Sequence, residues 1–247
     1  MEEISISARM IQENILGLKQ VRSDWRAILK SCGMSEQGLA LPTKRYPIGD
    51  AVKLHQAALK LLDDETLGLL EKPTPRGYFR LMVLALVHTR SLDAAVVRLV
   101  EFTNVFENTF QYSVETKGSN TILRLLPLDD SGADRVFITG WLMTIAHRLF
   151  SWLVNERIVP REVNFDFSVP DYHREFYYGF YGSTINYDQH VASLVYRSSD
   201  LDFPIVQTEA SVESYIARFP VDFLIPVEMG GDLSREVRLL VMDNLKT

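Results

Sequence analysis

The sequence predicts an α+β fold, with an antiparallel or mixed sheet of about five strands packed with helices and an N-terminal helical annex. Three observations lead to this prediction. Apolar residues recur at helical spacing in many segments, for example over residues 92–106. The period changes to two over residues 110–115, where Phe, Tyr and Val alternate with Gln, Ser and Glu. The strands come partly as hairpins rather than in strict alternation with helices, which favours antiparallel pairing.

Glycines, prolines and changes in the hydrophobic period mark where the individual helices and strands begin and end. Gly33 follows one helical segment, and prolines at 73 and 75 stop another. The segment 78–89 is apolar nearly all round, so we expect a buried helix. In chain order we predict helices at 5–19, 23–32, 48–63, 78–89 and 92–106, a hairpin over 110–126, a helix at 134–155, a strand at 163–167, a helix at 172–181, strands at 184–187 and 194–197, and helices at 207–219 and 233–245.

Composition limits the class of protein. At 247 residues and 47% hydrophobic, the chain can bury one large core with a small annex. One cysteine, Cys32, permits no internal disulfide and no thiolate metal cluster, and a small helix-end residue is expected there rather than a reactive thiol. The formal charge of −6 is the reverse of what a duplex-binding surface requires. These residues are therefore not expected to supply most of any DNA contact.

Signals for export or membrane insertion are missing from the sequence. The start, Met1-Glu2-Glu3, is acidic where a signal peptide is basic, and no apolar run reaches the ~18 residues that span a bilayer. We expect a cytoplasmic protein that does not contact membranes.

Motifs for catalysis are also missing. The five histidines never fall at the i, i+4 spacing that places two imidazoles on one helix face, and no G-x-S-x-G elbow or glycine-rich phosphate loop occurs. Acidic pairs such as Asp129-Asp130 fall in predicted loops and are expected to be solvated. We therefore expect no catalytic residues, no metal and no cofactor.

The helix predicted at 134–155 carries the first candidate binding residues. Phe137, Trp141, Thr144, Arg148 and Trp152 fall within one narrow sector at 100° per residue, so Arg148 is expected beside two tryptophans. A buried arginine needs a partner. That partner is either a protein carboxylate or the anionic or carbonyl group of a ligand held between the indole rings.

Other candidates lie on the predicted strands. Arg124 alternates with apolar residues, so it too would need a protein carboxylate or a ligand as its partner if it is buried. An edge strand would instead simply expose it. Tyr112, Tyr187 and Tyr196 could line the same pocket or only pack in the core. His147 is expected at the helix surface or at an interface. The effector-binding residues predicted from the sequence are Arg148, Trp141, Trp152, Phe137, Arg124, Tyr112, Tyr187 and Tyr196.

Three stretches resemble the N-terminal domain of one branch of the AraC/XylS transcription regulators, the arabinose-binding type typified by ornithine-utilisation regulators. Their motifs consist of glycines, prolines and apolar positions, and the order of these motifs carries the resemblance. The stretches are Gly68-Leu69-Leu70 with Pro75, Gly77-Tyr78-Phe79-Arg80-Leu81-Met82 and Ser91-Leu92-Asp93-Ala94-Ala95; then Val163, Phe165, Pro170, His173, Phe176, Phe180, Gly182, Ile185, Tyr187, Leu194, Val195, Leu201 and Pro204; and the segment 233–246, which looks like the first helix of the family's DNA-binding domain.

The resemblance implies an intracellular sensor in which a small effector biases dimer geometry and so controls DNA binding. It divides the chain into a helical annex at 1–45, an effector-binding and dimerisation domain at 46–228, and a linker with the first helix of a truncated DNA-binding domain at 229–247. Expected partners are a small, possibly anionic effector, a second copy in a homodimer, and DNA through a helix-turn-helix domain beyond residue 247. The hairpin helix is the candidate dimer face, with Leu92, Val96, Leu99 and Thr103.

Two other hypotheses stay open at this point. The chain could be an enzyme with no recognisable motif, acting on a small organic acid that Arg148 and Arg124 would orient. It could also be a pure interaction domain whose core is filled. A carboxylate or histidine within hydrogen-bonding reach of a bound reactive atom would favour the first, and an interior without a cavity the second.

Overall fold

A computed structural model of the chain describes residues 5–106, 110–127 and 135–220. Within these ranges the protein is α+β, as predicted. The strands are β1 (Ser5–Ser7), β2 (Arg45–Pro47), β3 (Phe110–Lys117), β4 (Asn120–Pro127), β5 (Glu162–Asn164), β6 (Thr184–Asn186) and β7 (Ala192–Arg197). The helices are α1 (Ala8–Asn14), α2 (Leu16–Val21), α3 (Trp25–Ser31), α4 (Glu36–Leu39), α5 (Ile48–Leu62), α6 (Tyr78–Val87), α7 (Leu92–Val105), α8 (Arg135–Val154), α9 (His173–Gly179) and α10 (Glu209–Ala217).

The main sheet has five strands in the order β3-β4-β7-β5-β6. Every pair in it is antiparallel except β5 with β6, which are parallel, so the predicted sheet of about five strands is confirmed as a mixed one. Parallel neighbours need a crossover connection, and here helix α9 lies between β5 and β6 in the chain. The order of elements from α6 to β7 is the one predicted from the sequence.

The hairpin β3–β4 fixes one edge of this sheet. Lys117 pairs with Asn120, so the loop has two residues, and the first of them, Gly118, has a φ of 61°. Two-residue hairpin loops need such a positive φ, which glycine adopts without a steric cost. The predicted hairpin over 110–126 is confirmed, and its turn explains why glycine stands at 118.

Helix α8 is the central helix of the core. Its most apolar window is long and apolar enough to cross a membrane, but 78% of that window is buried inside the fold, which is typical of a core helix. Gly140 allows a close approach in the middle of α8, because a Cβ there would lie 2.2 Å from the Phe176 ring of α9. A larger residue at 140 would push α9 away from the core.

The annex differs from its prediction at its beginning. We predicted one helix over 5–19, but Ser5–Ser7 is strand β1, which pairs antiparallel with Arg45–Pro47 of β2. Ser7 then caps helix α1, because its hydroxyl accepts a hydrogen bond from the Met10 backbone N–H at 3.3 Å. A partner strand forty residues away therefore overrides the local helical pattern at this end. The predicted helix at 233–245 lies outside the described residues.

Candidate ligand-binding site

Trp141, in the first half of α8, lies where several cavities meet. Its side chain is buried, with 6% of the residue exposed, and its ring is stacked on that of Phe137 at 5.9 Å between centroids. Three cavities have Trp141 in their lining. The fold therefore leaves unfilled space around one large aromatic side chain rather than around Arg148.

The largest of these cavities, here called the Trp141–Tyr112 cavity, lies between α6, α7, α8, β3 and the loop after α5. Its empty volume is about 570 Å³, counting the part open to solvent. The lining is mostly apolar, with a few polar groups, as in ligand-binding pockets. The lining residues are Glu65, Thr66, Thr74, Tyr78, Phe79, Met82, Leu99, Thr103, Tyr112, Trp141, Leu142, Ile145 and Ala146.

Glu65 is the charged residue in this lining, and it has a structural role as well. Its two carboxylate oxygens accept hydrogen bonds from the backbone N–H groups of Gly77, at 2.7 Å, and Phe79, at 2.8 Å. Those groups lie at the start of helix α6, where unpaired N–H groups favour an anion. Burial raises the pKa of Glu65, and the two backbone hydrogen bonds oppose that shift. The cavity thus offers a hydrogen-bond acceptor in a partly buried position.

The loop that carries Glu65, Thr66 and Thr74 is held in place by the buried carboxylate of Asp64. This carboxylate accepts hydrogen bonds from the backbone N–H groups of Thr66 at 2.9 Å, Gly68 at 2.7 Å and Thr74 at 2.7 Å, and from the Thr66 hydroxyl at 2.7 Å. Gly68 approaches the annex so closely that a Cβ on Gly17 would lie 2.0 Å from the Leu67 carbonyl oxygen. The loop that forms one wall of the cavity therefore packs directly against the annex.

Tyr112 reaches the cavity from the edge strand β3. Asn104, near the end of α7, fixes it from two sides: the Asn104 amide donates to the Tyr112 carbonyl at 2.7 Å, and the Tyr112 backbone N–H donates to the Asn104 amide oxygen at 3.1 Å. The phenol donates to the Leu142 carbonyl oxygen at 3.3 Å, and burial raises its pKa. Tyr112 is thus a neutral, pre-positioned wall of the cavity.

A second space, here called the His55 cavity, borders Trp141 as well. Its empty volume is about 320 Å³, again counting open space, and the annex forms much of its wall. His55 of α5 is 2% exposed, and burial lowers its pKa to about 4, so its imidazole is neutral near pH 7. The lining residues are Ile6, Met10, Ile11, Asn14, Ala51, Leu54, His55, Phe137 and Trp141.

Arg148 does not lie beside the ligand space around Trp141. It is 4% exposed, and it donates hydrogen bonds from Nε to the Gly179 carbonyl at 2.9 Å and from Nη2 to the Tyr178 carbonyl at 3.0 Å. Its guanidinium also lies 4.2 Å from the centre of the Tyr181 ring. The sequence left a protein carboxylate or a ligand as its partner. In the structure, Nε and Nη2 donate to backbone carbonyls of the last two residues of α9, and Nη1 has no hydrogen-bond partner among the described residues.

Two other predicted site residues, Arg124 and Trp152, also contact other parts of the protein instead of the cavities. Arg124 lies on β4, an interior strand rather than an edge, and its Nη2 donates to Glu115 at 2.5 Å. Trp152 stacks on Tyr215 at 4.1 Å between ring centroids and is not a lining residue of the three cavities around Trp141. The two arginines were the reason for expecting an anionic effector, and neither lines the Trp141–Tyr112 cavity.

The remaining two tyrosines pack in other parts of the core. Tyr196 is 1% exposed, and its hydroxyl lies 3.1 Å from Nδ1 of His147. His147 was expected at the helix surface or at an interface, but it is fully buried inside the domain between aromatic rings. Tyr187 packs near Phe165, at 5.8 Å between ring centroids. Of the eight predicted residues, the structure brings Trp141 and Tyr112 into the larger cavity and Phe137 into the neighbouring one.

The four residues predicted for the dimer face lie in the interior of the domain. Their exposed fractions are at most 2%, and Leu99 and Thr103 line the Trp141–Tyr112 cavity. Helical spacing places these residues on one face but does not say what covers that face. The correction is that this face of α7 packs inward, and its outer face exposes Val97 and Val105. The buried residues are Leu92, Val96, Leu99 and Thr103.

Sequence reasoning missed most of the cavity lining, Glu65 above all. Its neighbours in space lie 12 and 14 residues further along the chain, and no periodic signal connects them. The sequence did mark Leu99 and Thr103 as part of the apolar face of α7. That face was predicted to contact a second copy of the chain instead of the interior of the domain. Within residues 5–106, 110–127 and 135–220, no three His, Cys, Asp or Glu side chains form a group that could hold a metal ion.

An α+β domain with a mostly apolar cavity and a few polar groups at its wall has the features of a small-molecule binding domain. The chain matches the family described as the N-terminal arabinose-binding domain of AraC transcription regulators over residues 23–205, which is well over half its length. It therefore belongs to this family of regulatory ligand-binding domains, as the resemblance indicated. A search of curated proteins finds no match to the chain.

Proposed function

We propose that this chain is the effector-sensing and dimerisation part of an AraC-type regulator, and that its effector binds in the Trp141–Tyr112 cavity. The observation that carries the proposal is this cavity inside a domain of a family named for ligand binding. Effector binding would control DNA binding by a helix-turn-helix region outside residues 1–247. The proposed division of the chain stays 1–45, 46–228 and 229–247, with the effector site in the middle part.

The cavity favours an uncharged or cationic effector over an anionic one. Its charged lining residue is the Glu65 carboxylate, and the other polar groups in the lining are hydroxyls such as those of Thr66 and Thr74. A buried anion without a nearby cation would lose its hydration without compensation. An effector with a hydroxyl or amino group towards Glu65 and an apolar or aromatic body against Trp141 fits this lining best.

We also propose that a dimer forms through the outward face of α7. Val97 and Val105 lie two turns apart on this helix and are 46% and 78% exposed. In analytical ultracentrifugation, Val105→Glu should shift a dimer towards monomer, since it places a charge in an apolar contact. An unchanged dimer would locate the interface elsewhere.

The effector proposal is tested by finding the molecule and locating it. Native mass spectrometry of the purified protein identifies a co-purifying compound, which is then titrated while tryptophan emission is recorded. The chain has three tryptophans, so single replacements locate the response. Binding should change the emission of the wild type and of Trp25→Phe, because Trp25 lies on α3 between Lys19 and Arg26 rather than in the cavity.

The response should be lost in Trp141→Phe, whose ring still fills part of the same space. If Trp141→Phe kept the full response and Trp152→Phe lost it, the effector would lie near Tyr215, and the assignment of the cavity would be wrong. Calorimetry measures affinity independently of emission, so loss of signal is distinguished from loss of binding.

A further inference from the structure

The ring of Phe219, just after helix α10, packs against two walls of the Trp141–Tyr112 cavity. It lies 5.2 Å from the ring of Phe79 and 6.3 Å from that of Trp141 between centroids, and both of these residues line the cavity. Phe219 is not itself a lining residue. It therefore contacts the walls without lining the space that they enclose.

A third ring, that of His55, completes the surroundings of Phe219. The His55 ring lies 5.5 Å from that of Phe219 and 5.6 Å from that of Trp141 between centroids. Neither ring nitrogen of His55 has a hydrogen-bond partner among the described residues, so the neutral imidazole acts here as an aromatic surface. Phe219 is thus held by contacts with three rings, and its position depends on theirs.

Helix α10 is attached to the same wall one turn before Phe219. The ring of Tyr215 lies 6.2 Å from that of Phe79 and is stacked on Trp152 at 4.1 Å between centroids. On the solvent side, Arg80 of α6 pairs with Glu213 of α10. Exposed ion pairs contribute little to stability, so the aromatic contacts account for most of the attachment of α10 to α6.

Phe79 joins this attachment to the polar side of the cavity. Its backbone N–H donates to the Glu65 carboxylate at 2.8 Å, while its side chain contacts Tyr215 and Phe219. An empty cavity leaves part of the surface of Phe79 and Trp141 without packing contacts, so both rings have space into which they can turn. A molecule that fills the cavity supplies those contacts and favours the arrangement in which both rings meet Phe219.

We propose that occupancy of the Trp141–Tyr112 cavity is transmitted to Phe219: a molecule in the cavity holds the rings of Phe79 and Trp141 in place, and these hold Phe219 and the end of α10. Residues 221–247 follow in the chain, so occupancy of the cavity controls the point from which they extend. As a way of regulating DNA binding, this link rests on the proposed function. Coupling between two sites is reciprocal, so a change that loosens Phe219 also weakens binding in the cavity by the same factor.

The experiment uses a larger side chain as the probe that fills the cavity. Ala146 lines the cavity, and Ala146→Leu extends into it. Hydrogen–deuterium exchange is measured by mass spectrometry on the dialysed 247-residue chain, over peptides from residues 209–219. These amides should exchange at least about fivefold more slowly in Ala146→Leu than in the wild type, since fivefold is the lower end of typical coupling between two sites.

Two controls distinguish this effect from a general change in stability. Ala58→Leu adds the same side chain at a buried position of α5 that does not line the cavity, and it should not slow exchange over 209–219. Exchange in α3 of the annex, whose residues line none of the three cavities around Trp141, should be the same in Ala146→Leu and the wild type. Unchanged exchange over 209–219 in Ala146→Leu, or equal slowing in α3, would overturn the proposal.

A second pair of variants tests Phe219 itself. Phe219→Leu keeps an apolar side chain but removes the ring. In this background Ala146→Leu should slow exchange over 209–219 by less than about twofold, because the contact that couples the two positions is gone. Phe203→Leu is the matched control: Phe203 is 41% exposed, precedes α10 and does not line the cavity, so the full effect should remain. An undiminished effect in Phe219→Leu would show that Phe219 is not the link.

The link and the proposed function can fail separately. If Ala146→Leu slows exchange over 209–219 and no compound binds in the cavity, the link is supported and the proposed effector site is wrong. If a co-purifying compound binds in the cavity, and neither this compound nor Ala146→Leu slows exchange over 209–219, the effector site stands and the link is overturned.

Discussion

The two halves of helix α8 use similar side chains for different purposes. In the first half, Phe137, Trp141 and Leu142 border cavities. In the second half, Arg148 donates hydrogen bonds to two backbone carbonyls and Trp152 stacks on the Tyr215 ring. One continuous helix thus carries a candidate binding surface and a closed core side by side.

The difference follows from what packs against each half. The C-terminal end of α9 presents the carbonyls of Tyr178 and Gly179 to the second half, where the Arg148 guanidinium donates to both and lies over the Tyr181 ring. The first half faces the loop held by Asp64 and the annex, and these surround space without filling it. Stability and binding should therefore be separable along this helix.

The largest effect that tests this difference between the two halves of α8 is expected for Arg148→Ala. The change removes the donor to a buried carbonyl, that of Gly179, and to a partly buried one, that of Tyr178, and an unsatisfied buried group costs about 1–3 kcal/mol. We expect a loss of about 3 kcal/mol in the free energy of unfolding, measured by urea denaturation. Effector affinity, measured by calorimetry under conditions where the variant is folded, should change less than about threefold, since Arg148 is absent from the cavity lining.

The matched control is Arg98→Ala on the outer side of α7. Arg98 forms an i, i+3 pair with Glu101, and its side chain is 48% exposed, so its removal should change stability by less than about 0.5 kcal/mol. The interpretation of α8 would be wrong if Arg148→Ala kept wild-type stability and lost effector binding, because the guanidinium would then belong to the site.

Acid should destabilise the fold through its buried histidines. The pKa of His55 falls from its usual 6.5 to about 4 on burial, and burial also lowers the pKa of His147. Because the unfolded chain binds these protons more readily, stability is lost as the pH falls from about 6.5 towards 4. His55 alone should contribute a loss of about 2 kcal/mol between pH 7 and about pH 5.

The measurement is urea denaturation at the two pH values. His55→Phe should show a smaller loss than the wild type by that amount, with the His147 contribution remaining. An identical pH dependence in both proteins would mean that His55 has a hydrogen-bond partner that keeps its pKa near the usual value, and the unpaired imidazole would be ruled out.

Local periodicity explains why so much of the fold could be predicted. Each of several elements has a hydrophobic period or turn residues within its own segment of the sequence. These elements are helices α6 and α7, the hairpin at Gly118 and the later strands. Strand β1 does not, because Ser5–Ser7 becomes extended by pairing with Arg45–Pro47. Long-range pairing of this kind overrides local preference and cannot be read from one segment.

The site was harder to predict because it depends on what faces each side chain. The spacing in α8 placed Trp141 and Arg148 in one sector, but seven residues separate them by about 10 Å along the axis, which brings them to different neighbours. The partners of Arg148 are carbonyl groups about thirty residues later in the chain, and a sequence does not show where a carbonyl points. Trp141 and Tyr112 stay predictions as ligand contacts, and Glu65 now joins them.

The smallest expected effect comes from filling the cavity. Ala146 lies in the second half of α8 but lines the Trp141–Tyr112 cavity, so Ala146→Leu places its added methylenes in empty space and should change stability by less than about 1 kcal/mol. Ala58 is equally buried, on α5, and is not among the lining residues, so Ala58→Leu should cost about 1–3 kcal/mol through overpacking. Urea denaturation measures both. Ala146→Leu should also weaken effector binding at least about tenfold, since it occupies the ligand's volume. Equal destabilisation by the two variants would mean that the space beside Ala146 closes in solution, and α8 would then be closed core along both halves.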